Sequence, residues 1–567
     1  MRHTSLRLAA GALTLGVAAW LTHVLLRATP LYQYSFEWFL KLSQGEVRLY
    51  LVYGLAGGLA VFILATVLGP EGRRIVTLPP AVSSLRLLWA VSVLGSALAA
   101  LIGFGLLRNQ VVTDDEYVYL FQSRLLLTGH GSAPPPPLPL FFTNTFIGIQ
   151  EGRWFGQYPP GHPLMLASAV WLGLPRLVPV LLVGVNLFLT GLIARRLWGP
   201  SWGTAAALLL LTSPLFLLTG ATLLSHETAY FALAVACYAA LAAEDKPHLV
   251  WGLICGLGIG LLFLTRPWTG VTLGIFPALL LFRNARAQKR PSTLVSAGSA
   301  LVLCAVIFLG YNRDQTGHAL LTGYDAIRRG GGQIEFGFGP IFPGLYSHTF
   351  IRGLRNLVLL LVRFHFWAWA WPMALVPLVF ALKGQSGADR EHRILVKGAW
   401  WMFAIGFLAY VPYWSIGVND TGPVKTYELL LPFSVLTIEG IRRWAKARGP
   451  EGPATWGVAS FLVALVVFWP VTIAHLDRLS AGVAAPLTAI ERGVERPAVV
   501  FVRDPGLGNG QSWVFGRPNP RPDLSDPVLI VRDLGPANRE LLRALPGRHG
   551  YELELMPGDY RVVAIGQ

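Results

Sequence analysis

Three carboxylates in a row, Asp114, Asp115 and Glu116, follow directly on an apolar stretch. That stretch, Leu87 to Leu107, is long enough to cross a bilayer as a helix. Adjacent carboxylates in a partly buried place push one another's pKa apart, which suits a general base or a metal ligand. If residues 114–127 form a helix, Tyr119 stands one turn after Asp115 and shares its face. The plainer reading is a helix start, where the dipole favours acids in the first turn.

Further groups stand at the ends of other apolar stretches. Ser225, His226 and Glu227 lie between two of them. A carboxylate at membrane depth is costly, so Glu227 is a functional candidate, with Ser225 as helix cap the alternative. His226 is its neighbour. Arg266 in LTRPW and Lys425 in GPVKTYELLLP are cations suited to a phosphate at the membrane surface, against simple snorkelling. The stretch WFGQYPPGHPLML carries Tyr158 and His162 around a rigid Pro-Pro-Gly turn, which also reads as loop-to-helix punctuation. There is no Walker A loop, GxSxG elbow or HExxH. The glycine-rich GLGNG at 506–510 lacks the strand–helix context of a dinucleotide site.

The elements that must hold these residues follow from composition. Of 567 residues 53% are hydrophobic and 13% charged, where soluble chains carry roughly a quarter charged. The chain is therefore expected to be an α-helical polytopic membrane protein. The net charge of +16 does not point to nucleic acid, because the basic residues gather in short loops on one side of a membrane. The three cysteines, Cys237, Cys255 and Cys304, fall in apolar spans and read as buried and inert.

Apolar length suggests about thirteen spans. They lie near 6–26, 49–68, 86–107, 176–194, 202–219, 228–243, 249–265, 267–282, 294–311, 366–382, 396–416, 427–440 and 455–474. With the N-terminus inside, the inner loops hold Arg73, Arg74, Arg195, Arg196, Lys246, the 283–290 group, Lys383 with Arg390–Lys397, and Arg442–Arg448. The outer side then holds the acids, among them Asp325, Glu335, Asp420 and Glu428. Two long outer loops result, 108–162 with its APPPPLPL run, expected to be extended polyproline II, and 312–365 with RRGGG. Both are expected to fold, with short membrane-surface helices.

Three units are expected: extra N-terminal spans over 1–85, a transmembrane catalytic unit over 86–474, and a small soluble α/β domain over 475–567 on the outer side. In the last, VVFVRD and VLIVRD read as buried strands, 537–545 as an amphipathic helix, and YELEL and YRVVAI as two more strands.

An ordered set of motifs resembles the GT-C membrane glycosyltransferases, in particular the group of protein O-mannosyltransferases and lipid A aminoarabinose transferases. DDEYVYLFQSRLLLTG looks like the family's first outer loop and GQYPPGHPLMLA like the turn that closes it. LIARRLWG, LTRPWTG, YNRDQTGHALLTGYD and GPVKTYELLLP look like later landmarks, so that the resemblance spans roughly 86–440. It implies a GT-C fold and transfer of a sugar from a polyprenyl-phosphate-linked donor on the extracytoplasmic face. The acceptor would be a lipid, a polysaccharide or a protein, and the setting a bacterial inner membrane.

Carried over, Asp115 matches the acid that activates the acceptor or helps hold a divalent cation, with Glu116 and Asp114 beside it. Glu227 stands where a second acid is common, so Asp115 and Glu227 would hold Mg or Mn. His226, Tyr119, Arg266, Lys425, Tyr158 and His162 would line the substrate. The aminoarabinose group has a lysine in its Pro-Pro turn, where this chain has Gln157 and Tyr158. A polytopic transporter or lipid flippase is the alternative function, and a non-catalytic envelope assembly protein a third; the first would want charges buried mid-span.

Overall fold

A computed structural model describes residues 2–28, 41–69, 85–144, 146–245, 248–329, 336–342, 346–382, 390–417, 420–503, 518–556 and 559–565. Arg73, Arg74, Lys246, Glu335, Lys383, the 506–510 glycines and most of RRGGG fall outside these residues.

The described chain is mostly helical. Five of its helices are long and apolar enough to cross a membrane: Gln44–Leu68, Leu85–Leu106, Leu177–Trp198, Pro291–Thr316 and Glu451–Gly493. Pro200–Leu211 and Pro214–Gly220 make a sixth if a pair bent by 67° counts as one crossing. The expected spans 6–26 and 228–243 fall within the continuous helices Arg2–Ala28 and His226–Asp245, while others are short or interrupted. Leu249–Thr265 has 17 residues, and Gly274 separates Pro267–Leu273 from Ile275–Ala287. The expected span 366–382 is broken. The Phe350–Trp369 helix stops at Ala370, which has φ 55°, and Val376–Leu382 starts after Pro372. A proline has no N–H to continue the ladder and clashes with the preceding turn.

The two long segments expected on the outer side are folded where described. The first carries the Asp114–Leu127 helix and an antiparallel hairpin, β1 (Ile147–Gln150) with β2 (Arg153–Gly156). Beside it, the proline run makes an isolated bridge, Ala133 to Trp154, and its end departs from the expected extended form, with Leu138 at φ 50° leading into the 3-10 turn Pro139–Phe142. The second carries the Gly323–Arg329 helix, the hairpin of β3 (Gly339–Phe342) and β4 (Tyr346–His348), and the helix from Phe350. That last helix is amphipathic. Phe350, Ile351, Leu354 and Val358 are exposed, while Gly353, Asn356, Leu360 and Arg363 are buried. Such a face suits a lipid surface.

The last long helix does not end where the apolar run does. It passes a π-bulge at Ala464–Phe468 and continues to Gly493, so residue 475 is mid-helix and not the start of a soluble tail. Beyond it stand β5 (Ala498–Val502), β6 (Val528–Arg532), the helix Asn538–Ala544, β7 (His549–Met556) and β8 (Asp559–Ala564). Their order is β6-β5-β7-β8, with β5 parallel to β6 and β7, and β8 antiparallel to β7.

Strand β5 is buried on both faces, as a central parallel strand must be. Val500 and Val502 pack with Ile490 of the long helix. Val499 and Phe501 point the other way, into a cluster with Val118, Phe121, Phe141 and Trp154 of the first outer segment. Phe141 and Phe501 meet edge-on at 5.9 Å. Polar contacts seal the joint: Arg532 donates to Thr143 Oγ1 at 3.0 Å, and Asn144 to Asn519 Oδ1 at 2.8 Å. The sheet and the helix bearing the three acids thus share one core.

Candidate active site

The helix Asp114–Leu127 begins as its sequence dictates. Thr113 is extended, and its hydroxyl accepts from Glu116 N. The three acids occupy the first turn, and only one turns fully inward. Glu116 is wholly buried. Its carboxyl accepts from Leu223 N at 2.7 Å, Val112 N at 3.1 Å and Thr113 Oγ1 at 3.2 Å. Burial raises its pKa, opposed by the nearby Arg176 guanidinium and these donors. Arg176 in turn donates to the carbonyls of Ala221 and Gln110. Glu116 therefore ties the helix to the 221–224 turn and offers no oxygen to a substrate.

Asp115, one residue back, is half-buried and faces aromatic rings. The Tyr158 hydroxyl donates to its Oδ1. Tyr158 packs on Tyr119 at 4.5 Å and on Tyr324 of the second outer segment at 5.6 Å. Burial and the Asp115 charge hold the phenols of Tyr119 and Tyr158 far above their usual pKa, so both stay protonated donors. Asp114 is half-buried in the same turn.

From Tyr119 a polar chain leads to the cations. Tyr119 donates to Ser225 Oγ at 3.0 Å, and Arg266 Nη1 reaches Ser225 Oγ at 3.4 Å. Arg266 Nε and His226 Nδ1 each lie 3.2 Å from Glu428 Oε1. Arg266 stands at the break before Pro267, where proline forces the preceding residue out of helix. Lys425 and Glu428 share the short 3-10 turn Val424–Leu429. Gly422, at φ 116° and against the Trp367 ring, lets the chain enter that turn. The Lys425 ammonium sits 3.7 Å above the Tyr413 ring and donates to Ser415 O at 2.9 Å.

Residues from five distant segments thus meet: Asp115 with Tyr119, Tyr158, Ser225 with His226, Arg266, and Lys425 with Glu428. Besides Glu116, two expected members are otherwise employed. Glu227 takes hydrogen bonds from Asn186 and Tyr427 and lies against Gly220, in the interior of the bundle. Successive helical residues diverge by about 100°, which sends His226 to Glu428 and Glu227 the other way. His162 is buried between Thr228 Oγ1 and Leu223 O, at 2.8 Å each, with its ring against Tyr119. Burial pushes its pKa down to about 3, so it is a neutral packing residue. Glu428 is the member that motif reading passed over; the signal was a buried acid at a span end beside Lys425.

Among the described residues no three His, Cys, Asp or Glu side chains gather as a metal cluster. Asp115 and Glu227 make separate sets of contacts, as given above.

Residues 173–310 match the family model for dolichyl-phosphate-mannose-protein mannosyltransferase. No curated protein matches the chain. Among solved structures, ArnT from Cupriavidus metallidurans bound to undecaprenyl phosphate is similar at 14% identity and TM-score 0.49, over 83% of this chain and 97% of that one. Its apo state gives 14% and 0.48 over the same shares. The apo Archaeoglobus fulgidus oligosaccharyltransferase gives 12% and 0.40, over 82% and 69%. The matched segment includes His226, Glu227 and Arg266 but not Asp115 or Lys425. Over that segment, the resemblance of this chain to the GT-C membrane glycosyltransferases related to protein O-mannosyltransferases is shown.

Proposed function

We propose that the protein is a membrane glycosyltransferase that moves a sugar from a polyprenyl-phosphate-linked donor to an acceptor hydroxyl on the extracytoplasmic face. The observation that carries this reading is that Asp115, bonded by Tyr158, whose ring packs on Tyr119, stands at the end of a polar chain from Tyr119 through Ser225 to Arg266, His226 and Glu428. A base and a cationic site stand at neighbouring span ends, as a lipid-borne anion and a water-borne acceptor require.

In the proposed step Asp115 takes the acceptor proton as the acceptor oxygen attacks the anomeric carbon. The bond from that carbon to the phosphate oxygen breaks, and the lipid phosphate leaves with the electron pair. Direct displacement inverts the sugar carbon. Arg266 and Lys425 stabilise the departing phosphate, a contribution that preorganised charges make best. Glu428 and His226 hold the Arg266 guanidinium in place. Tyr158 takes the turn position of the aminoarabinose group's lysine and orients Asp115 instead of contacting phosphate.

Charge placement supports a cytoplasmic N-terminus, an extracytoplasmic C-terminal sheet and, for such a donor, a bacterial inner membrane. A divalent cation, Mg or Mn, would find Asp115 as its carboxylate here and take its remaining ligands from phosphate and water, since Glu227 is engaged elsewhere. EDTA with Mg or Mn add-back tests that part.

The main test is transfer of radiolabelled sugar from polyprenyl-phosphate donors in membranes carrying wild type or Asp115→Asn. Transfer by the wild type and a loss of about 10²–10⁴-fold in the variant, at equal expression, is the expected result. Equal transfer by both removes Asp115 as the base.

A further inference from the structure

The long C-terminal helix, Glu451–Gly493, reaches both sides of the candidate site. Its His475 Nε2 lies 2.7 Å from Asp420 Oδ1, and both side chains are buried. With a carboxylate as acceptor, Nε2 is the donor. Asp420 opens the segment Asp420–Leu429 that carries Lys425 and Glu428. The next residue, Thr421, pairs with Thr219 Oγ1 at 3.0 Å, and Gly422 lies on Trp367. Beyond His475, the same helix meets the approach to Asp114. Arg108 donates to Asp477 O at 3.0 Å and to Asp477 Oδ1 at 2.6 Å, and Ser480 to Leu106 O at 2.7 Å. Arg108 and Asn109 hold left-handed backbone, φ 52° and 56°, at this joint.

The two ties differ in strength. Arg108 and Asp477 are 38% and 54% exposed, and water screens such a pair. The dyad is 8% and 2% exposed, so water screens it far less. The dyad is therefore the buried tie by which the long helix holds the start of the 420–429 segment, beside the contacts that Thr219, Ser415 and Arg266 make with it.

We propose that His475 is a positioning residue that, through Asp420, sets where Lys425 and Glu428 stand against the donor phosphate. It touches no substrate itself, and the proposal rests on the reading of Lys425 and Glu428 as donor-site groups.

Hydrogen exchange of the full chain in nanodiscs, with His475→Ala and His475→Gln, decides it without reference to activity. In His475→Ala the amides of 421–429 exchange about ten-fold faster, while those of 114–127 are unchanged. His475→Gln, which keeps a donor, returns most of the protection. Unchanged exchange at 421–429, acceleration throughout the molecule, or no recovery with glutamine each overturns the proposal. Transfer kinetics supply the second readout: in His475→Ala kcat/KM for the donor falls about ten-fold, and His475→Gln restores most of it. An unchanged kcat/KM overturns the proposal. If the wild type transfers no sugar from any polyprenyl-phosphate donor, the functional reading fails, and the exchange result still decides whether His475 positions the segment.

Discussion

Asp115 and Glu116 are neighbours with opposite employments, and the difference is one of helical phase. Asp115 keeps an oxygen beside Tyr158 at the half-exposed face, whereas Glu116 is filled by the donors of Leu223, Val112 and Thr113. Glu116→Gln keeps the size but places an NH₂ against backbone donors, and should destabilise the protein by about 1–3 kcal/mol. Thermal unfolding in detergent checks this, and a midpoint equal to wild type would refute it. His162 yields a pH prediction. Its folded pKa of about 3 lies below its ordinary 6.5, so the unfolded chain binds more protons between those values. Its contribution to stability is thus full above pH 6.5 and falls as pH drops toward 3. His162→Gln should flatten this part of the stability–pH curve, and a curve of unchanged slope would rule the assignment out.

At the scale of elements, a buried ion pair binds an N-terminal span to the bundle. Arg363 grips Glu46 with two bonds, 2.7 and 2.9 Å, and both residues are buried. Glu46 also closes a capping box with Ser43, and Tyr50 joins it to Trp367. Removing one charge from a buried pair is worse than removing both. Arg363→Met alone should cost about 3–5 kcal/mol, and the double variant with Glu46→Gln should recover most of it. A double variant as unstable as the single would show that the pair is not coupled. Span counting by apolar length failed at elements such as Phe350–Trp369. Its apolar run continues past Trp369, but Ala370 and Pro372 end the helix. Hydropathy records composition and not such breaks.

For the whole molecule, the sheet after the last helix is built into the same core as the acid-bearing helix. Phe501 of β5 stands in the cluster that holds Phe121 and Tyr119 of the acid-bearing helix. Phe501→Ala should cost about 3–5 kcal/mol, as large core truncations do. It should also speed hydrogen exchange in 114–127, whereas exchange raised only within the sheet would mean that the two fold independently. The long helix, the sheet and the first outer segment then act as one frame around the site.

The sequence alone determined the membrane class, the helix over 114–127 with Tyr119 on the Asp115 face, and the strands of the C-terminal sheet. These depend on apolar length, helical phase and short apolar runs, which are local. It also held a recognisable order of motifs, supported over residues 173–310. Which partners each acid meets was not local. Glu227 and Glu428 are both buried acids at span ends, yet one meets Asn186 and Tyr427 and the other Arg266 and His226. Only the packing of separate helices chose between them, because a carboxylate's role is set by the partners it is brought against.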